Sequence, residues 1–152
     1  MHVDISTNLP CKLDDVILHV KSSRLLLYVA KPMVSFVPIT PTQLPQVWTE
    51  GTYWVSLFLF GIIPFGRQAV VISYPSSVPF TLRDNGYSAL IRKWDHVITV
   101  EPSSNGTLYR DRVTIKAGIL TPFIWLFAQL YYHHRQRRWR QLVERGFSYD
   151  NP

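Results

Sequence analysis

Residues 119–147 read as one long helix, ILTPFIWLFAQLYYHHRQRRWRQLVERGF. Thr121-Pro122 opens it with a capping hydroxyl followed by a proline in the first turn. Gly146 closes it, where a left-handed cap costs little. The first half is apolar on almost every side, and the second half carries a run of arginines. A helix apolar all round has to be buried in protein or in lipid, so the rest of the chain is expected to wrap that first half. With 152 residues and 47% hydrophobic residues there is enough chain for one domain, 1–152, with a real core.

The net charge of +6 is concentrated. Arg135, Arg137, Arg138, Arg140 and Arg145 all sit on the last helix. Such a cluster either meets an anionic membrane, nucleic acid or an acidic partner, or is a solvated helix end that complements its own dipole. The single cysteine, Cys11, excludes an intrachain disulfide and fits a reducing, cytoplasmic setting. Its place near a helix start offers a lowered thiol pKa as the alternative to simple packing. The N-terminal MHVDISTNLP lacks the basic-then-apolar pattern of a targeting peptide. The apolar runs 53–65 and 119–132 are each shorter than the ~20 residues a membrane-spanning helix needs.

In chain order, alternation predicts a strand over 2–7, and helical spacing of Leu13, Val16, Ile17 and Val20 then predicts short helices over 11–30. Residues 33–116 read as antiparallel sheet: strands at 33–39, 53–60, 68–74, 80–82, 89–101 and 107–116. The turns between them are expected at 61–66, Arg83-Asp84-Asn85-Gly86 and Ser103-Ser104-Asn105-Gly106. Both faces of the hairpin at 53–74 are apolar, so periodicity leaves open which one faces inward. Strands in a row followed by a helix argue for an α+β meander of about six to seven strands curled around the long helix.

The hairpin at 89–116 is the most informative stretch. Leu90, Arg92, Trp94, His96, Ile98 and Val100 share one face of the first strand, and Tyr109, Asp111, Val113 and Ile115 share one face of the second. A turn at 103–106 sets Ile98 opposite Asp111 and His96 opposite Val113, so both sets fall on one side of the sheet. His96 and Asp111 then become diagonal neighbours. Inward Asp, His and Arg side chains on an apolar surface are costly unless paired. They form a structural network tying sheet to helix through Tyr131 or His134, anchor a ligand's polar group, or transfer protons. Adjacent His133 and His134 point about 100° apart on a helix. With no Cys/His cluster and no glycine-rich phosphate loop, neither a metal nor another cofactor is expected, nor is nucleic acid.

The element order and the run YRDRVTIKAGILTPFIWLFAQLYYHHRQRRWRQL at 109–142 resemble the SRPBCC superfamily. These are the START-like, birch-pollen-allergen-like helix-grip domains, including polyketide cyclase/dehydrase-like proteins. YWVSLFLFGIIPFGRQAVVISY at 53–74 and ALIRKWDHVITVEP at 89–102 fit the same pattern. The resemblance implies a curved antiparallel sheet gripping the C-terminal helix over an apolar cavity. It implies a lipid-, polyketide- or quinone-like ligand, for which the inward faces read above offer Arg92, His96 and Asp111 as anchors and Trp94, Tyr109, Phe123, Phe127 and Tyr131 as walls. A cyclase/dehydrase-type enzyme using His96 and Asp111 is one alternative. The other is a membrane- or partner-binding module using Arg135, Arg137, Arg138 and Arg140, or the apolar hairpin tip from Ile62 to Phe65.

Overall fold

A computed structural model describes residues 1–150. The order is β1 (His2–Leu9), α1 (Leu13–Val20), α2 (Ser23–Ala30), β2 (Val34–Thr40), β3 (Gly51–Leu59), β4 (Ile63–Ser77), β5 (Phe80–Ser88), β6 (Lys93–Ser103), β7 (Gly106–Lys116) and α3 (Thr121–Glu144). A short 3-10 turn, Gly118–Leu120, leads into α3. The strands form one seven-stranded antiparallel sheet in the order β1-β7-β6-β5-β4-β3-β2. The chain starts at one edge, crosses to the other through α1 and α2, and meanders back until β7 closes against β1. This is a helix-grip fold: the curved sheet holds α3 across one face. Among the described residues no helix is long and apolar enough to cross a membrane.

Local chemistry accounts for most of the boundaries. Ser22 caps α2 by accepting the Arg24 N–H. Thr121 Oγ1 accepts from the Ala117 N–H and donates to the Gly118 carbonyl, fixing the entry to α3. At the far end Gly146 takes φ +65, the left-handed conformation that glycine adopts without penalty. Strict alternation buries Thr107, Tyr109, Asp111, Val113 and Ile115 along β7. The pairing sets Pro102 opposite Thr107, Ile98 opposite Asp111 and His96 opposite Val113, in the register expected from the turn.

Three expectations need correction. Arg83-Asp84-Asn85-Gly86 is not a turn but the middle of β5, paired residue for residue with β6. Arg83 there grips Asp95 through two 2.8 Å hydrogen bonds across the strands. The real turn is at 89–92, pinned by the Ser88 N–H on the Ile91 carbonyl and the Ile91 N–H on Ser88 Oγ. The strand alternation that placed Arg92 inward therefore stops at Lys93. Second, the hairpin loop at 61–66 shrinks to Phe60-Gly61-Ile62, because β4 begins at Ile63. Third, the apolar half of α3 is not wrapped on all sides. The buried residues of α3 are Ala128, Tyr131, Tyr132, Arg135, Gln136, Trp139, Leu142 and Val143. Ile119, Phe123, Leu126 and Leu130 are exposed, and they recur at helical spacing as one outward stripe.

Candidate functional site

The sheet and the N-terminal half of α3 do not close on each other. Between them lies a cavity of about 340 Å³. Its wall is Val34 and Phe36 from β2, Leu57 and Leu59 from β3, Val70 from β4, Trp94 from β6, and Ile124, Phe127 and Tyr131 from α3. The face of the 53–74 hairpin that turns inward is therefore the one carrying Leu57, Leu59 and Val70. Trp54, on the opposite face, packs edge-on against Tyr87, with ring centroids 5.8 Å apart. Phe65, Leu120 and Phe123 also line the cavity, at the end of the sheet where β3 turns into β4 and β7 runs into α3.

One part of the wall is polar. His96 lines the cavity, and behind it His96 Nε2 lies 2.7 Å from Asp111 Oδ1. Asp111 is fully buried and heavily shared. It accepts from Tyr109 Oη at 2.9 Å and from Gln136 Nε2 at 3.1 Å, and Arg135 Nε stands 3.6 Å away. Arg135 Nη2 donates in turn to Tyr109 Oη at 3.1 Å, and Gln136 donates to the Ile5 carbonyl at 2.7 Å. Sheet and helix are thus tied together, through Arg135 and Gln136 rather than through Tyr131 or His134. His134 instead bonds the Lys31 carbonyl.

The electrostatics follow from burial and pairing. Burial alone would raise the Asp111 carboxyl, but Arg135, His96 and Gln136 together hold it below the usual carboxylate range. Burial pushes the His96 imidazole down, against the pull of Asp111. Neutral His96 facing an ionised Asp111 must carry its proton on Nε2, which leaves Nδ1 as the basic nitrogen.

Among the cavity residues that escaped the sequence reading are two polar ones, Gln68 and Asp84. Gln68 is 6% exposed, and its Oε1 has no hydrogen-bond partner. Asp84 Oδ1 accepts the Val71 N–H at 2.8 Å. Burial raises this carboxyl to about 7; the Val71 bond and Arg135 oppose the rise, and Asp95 adds to it. Asp84 was hidden because Asp-Asn-Gly reads locally as turn chemistry. A possible signal was that 80–88 can be one strand, with Asp84 on the same face as Leu82.

Of the expected site residues, Trp94, His96, Phe123, Phe127 and Tyr131 line the cavity. Tyr109 and Asp111 do not: they are sealed behind His96, where Tyr109 meets Trp139 edge-on at 6.0 Å. Arg92 is a correction, being exposed beyond the start of β6, beside Asn85 and Tyr87 on the outside. Arg135 is another, since it is buried against Asp111 rather than displayed on a basic helix end. Arg138 is also engaged, with its guanidinium 4.2 Å over the Tyr28 ring and Nη2 on the Tyr28 carbonyl. Arg140 bonds Thr7 Oγ1, and Arg137 lies 3.4 Å from His134 Nδ1. At Cys11 burial raises the thiol, with Asp15 adding to the effect, the reverse of an activated cysteine.

The model of a family described as a domain of unknown function (DUF8410) matches residues 33–143. Solved structures similar to this chain include a protein from Chromobacterium violaceum, with a TM-score of 0.66 at 16% identity, covering 94% of this chain and 97% of that one. A START superfamily protein from Mycobacterium smegmatis matches with a TM-score of 0.65 at 14% identity, covering 95% and 97%. The AHSA1 protein from Silicibacter pomeroyi matches with a TM-score of 0.64 at 12% identity, covering 95% and 98%. At such identities the likeness is one of fold, and the fold is the SRPBCC helix grip. No curated protein matches the sequence.

Proposed function

The chain belongs to the DUF8410 family, and from that premise we propose that residues 1–152 act as one domain that binds an apolar or amphipathic small molecule, lipid-, polyketide- or quinone-like, between sheet and α3. The observation that carries this reading is the cavity of about 340 Å³ with a wall that is apolar except at one patch. That is the size and character of a small-molecule site. The likeness to a START superfamily protein supports it. Trp94, Phe127 and Tyr131 are the wall, and His96 belongs to the polar patch. Native mass spectrometry of freshly purified protein, followed by organic extraction, tests it. The expected result is one reproducible lipid-like adduct that organic solvent removes. A protein that stays bare when offered a panel of long-chain amphiphiles overturns it.

His96 favours a second reading, a proton-transfer enzyme of the cyclase/dehydrase kind. It is the cavity residue with an ionised carboxylate behind it, which orients the ring and leaves one nitrogen basic. Asp111 would position His96 and never meet substrate. Turnover of a polyketide-like substrate with a sigmoid pH–rate profile, lost in His96→Ala, supports this; turnover unchanged in that variant refutes it.

The surroundings of the cavity end lined by Phe65, Leu120 and Phe123, taken as its mouth, favour loading from an anionic bilayer surface. Phe60, Ile62 and Ile63 of the β3–β4 turn are exposed, as is the Ile119, Phe123, Leu126 and Leu130 stripe. The connections at this end, 31–33, 60–62, 89–92 and 117–120, contain Lys31 and Arg92 and no carboxylate, and Lys116 lies beside them. Apolar side chains with cations around them match an interface of acyl chains and anionic head groups. Cosedimentation with phosphatidylserine-containing vesicles should fall in an Ile63→Ser/Leu126→Ser variant and with added salt. Equal binding by the variant removes this reading.

A further inference from the structure

The polar patch of the cavity has an acceptor side that the His96–Asp111–Arg135 network does not use. β4 and β5 pair at Ala69 with Tyr87 and again at Ile72 with Asp84, and the ladder opens between these points. In the gap Asp84 Oδ1 takes the Val71 N–H in place of a strand carbonyl. Gly86 makes the arrangement fit: a Cβ there would lie 2.6 Å from the Ala69 carbonyl, 2.9 Å from Gln68 Nε2 and 3.1 Å from Asp84 Oδ1. Gln68 and Asp84 therefore meet over a glycine, and both line the cavity. Gln68 turns Nε2 toward the Ala69 carbonyl at 3.4 Å, which leaves Oε1 without a partner.

We infer that Gln68 Oε1 and the Asp84 carboxylate form a head-group subsite for a cationic hydrogen-bond donor, the protonated amine of an otherwise apolar amphiphile. The inference rests on the cavity being a ligand site. A buried acceptor left open costs stability unless something donates to it. An unpartnered amide oxygen and a carboxylate in the wall of one cavity call for a group with several N–H donors, which an ammonium supplies. Of the charged groups around Asp84, Arg135 also lines the cavity, but it is paired with Asp111. Across the strand from Asp84 stands His96, whose ring is neutral and already bonded to Asp111. Arg135 and Asp111 face each other as a pair. Asp95, on the outer side of β6, is held by Arg83. Tyr131 and Tyr132 of α3 are neutral, and β4 contributes only the Gln68 amide. Asp84 is thus the ionisable group of the cavity wall with no ion-pair partner among the described residues. An alkyl carboxylate would meet repulsion there. The ammonium would sit at the polar patch with the alkyl chain running along Leu57, Leu59 and Phe127 toward the mouth.

Titration of dodecylamine, dodecanol and dodecanoate into the full chain, followed by the fluorescence of Trp94 and its neighbours, tests the inference. At pH 8 the amine should bind at least tenfold more tightly than dodecanoate and more tightly than dodecanol. An alkyl ammonium stays charged to about pH 10, so its affinity should rise roughly tenfold from pH 6 to pH 8 as Asp84 ionises, while that of dodecanol stays level. Asp84→Asn keeps an acceptor for the Val71 N–H and should cost the amine about tenfold while leaving dodecanol within threefold. Should that variant fail to fold, the pH dependence on the unaltered chain decides. Dodecanoate binding as well as the amine, or amine affinity that ignores both pH and Asp84→Asn, overturns the inference while dodecanol binding keeps the cavity reading. Failure of all three compounds to bind overturns both.

Discussion

The two halves of α3 invert what their compositions promise. The C-terminal half, RQRRWRQLVE, is basic, yet it buries Arg135, Gln136, Trp139, Leu142 and Val143. Trp139 is fully buried against Tyr109, His19 and Phe147, in the cluster that α1 and α2 close from above. The tail after the helix adds a further seal: Phe147 stacks on His19 at 4.2 Å, and Tyr149 Oη lies 2.6 Å from His19 Nδ1. The N-terminal half, TPFIWLFAQL, is apolar, yet Phe123 is 72% exposed and its inner face borders an open cavity. Hydrophobicity measures how much burial a segment can use, while the neighbouring elements set how much it gets. Here α1 and α2 pack over one half only. The other half is left with apolar surface toward a cavity and toward the outside.

The sharpest way to break the contrast is to truncate the closed half. Trp139→Ala should cost about 3–5 kcal/mol, the range for deleting a large aromatic from a packed core, measured by urea unfolding with the slope unchanged. A cost under 1 kcal/mol would mean that this half is no better packed than the other.

Next in size is the network that joins the halves to the sheet. Asp111→Asn leaves Arg135 buried without its counter-charge and should cost roughly 3 kcal/mol. The carboxyl is held low in the folded state, so its contribution is present above the unfolded value of about 4 and is lost as the pH falls through the lower folded value. The variant should lack that acid-side loss, and an identical acid limb would show that Asp111 does not carry it.

Asp84 should behave in the opposite sense. Its carboxyl titrates near 7 in the folded chain and near ~4 unfolded. Folding takes up a proton between these values, so stability falls as the pH rises through that window. Asp84→Asn should match the parent at pH 4 and exceed it at pH 8 by roughly 1–3 kcal/mol, allowing for water in the cavity. Thermal unfolding at the two pH values checks this, and a parent as stable at pH 8 as at pH 5 would contradict it.

The smallest effect belongs to the exposed stripe. Leu126→Gln with Leu130→Gln should change stability by no more than about 0.5 kcal/mol, as surface substitutions do. A loss of 2 kcal/mol would show that the open half is held closed in solution, by self-association or otherwise, and sedimentation would tell which.

What the sequence determined by itself is local. The alternation along β6 and β7, with the turn between them, fixed the register and set His96 and Asp111 as neighbours, because strand parity and turn length leave no other pairing with both apolar faces inward. Pro122 and Gly146 marked the ends of α3, because both act on the backbone within one turn; Thr121 is not the expected cap but the first helical residue, its hydroxyl bonded to the Ala117 and Gly118 backbone. The meander followed by a helix was legible for the same reason, as was an inner apolar wall including Trp94, Phe127 and Tyr131. Only the tertiary structure decided that Asp-Asn-Gly would stay in β5 and bring Asp84 to the cavity. A turn motif yields when a neighbouring strand, here β6, pairs with it residue for residue. Only there did Arg135 turn inward, since its counter-charge Asp111 lies on another element. The choice between the two apolar faces of β3 and β4, the seat of Gln68 over Gly86, and the uncovered side of α3 were likewise settled in three dimensions. Each depends on which surface meets which, and burial belongs to a pair of surfaces rather than to either sequence alone.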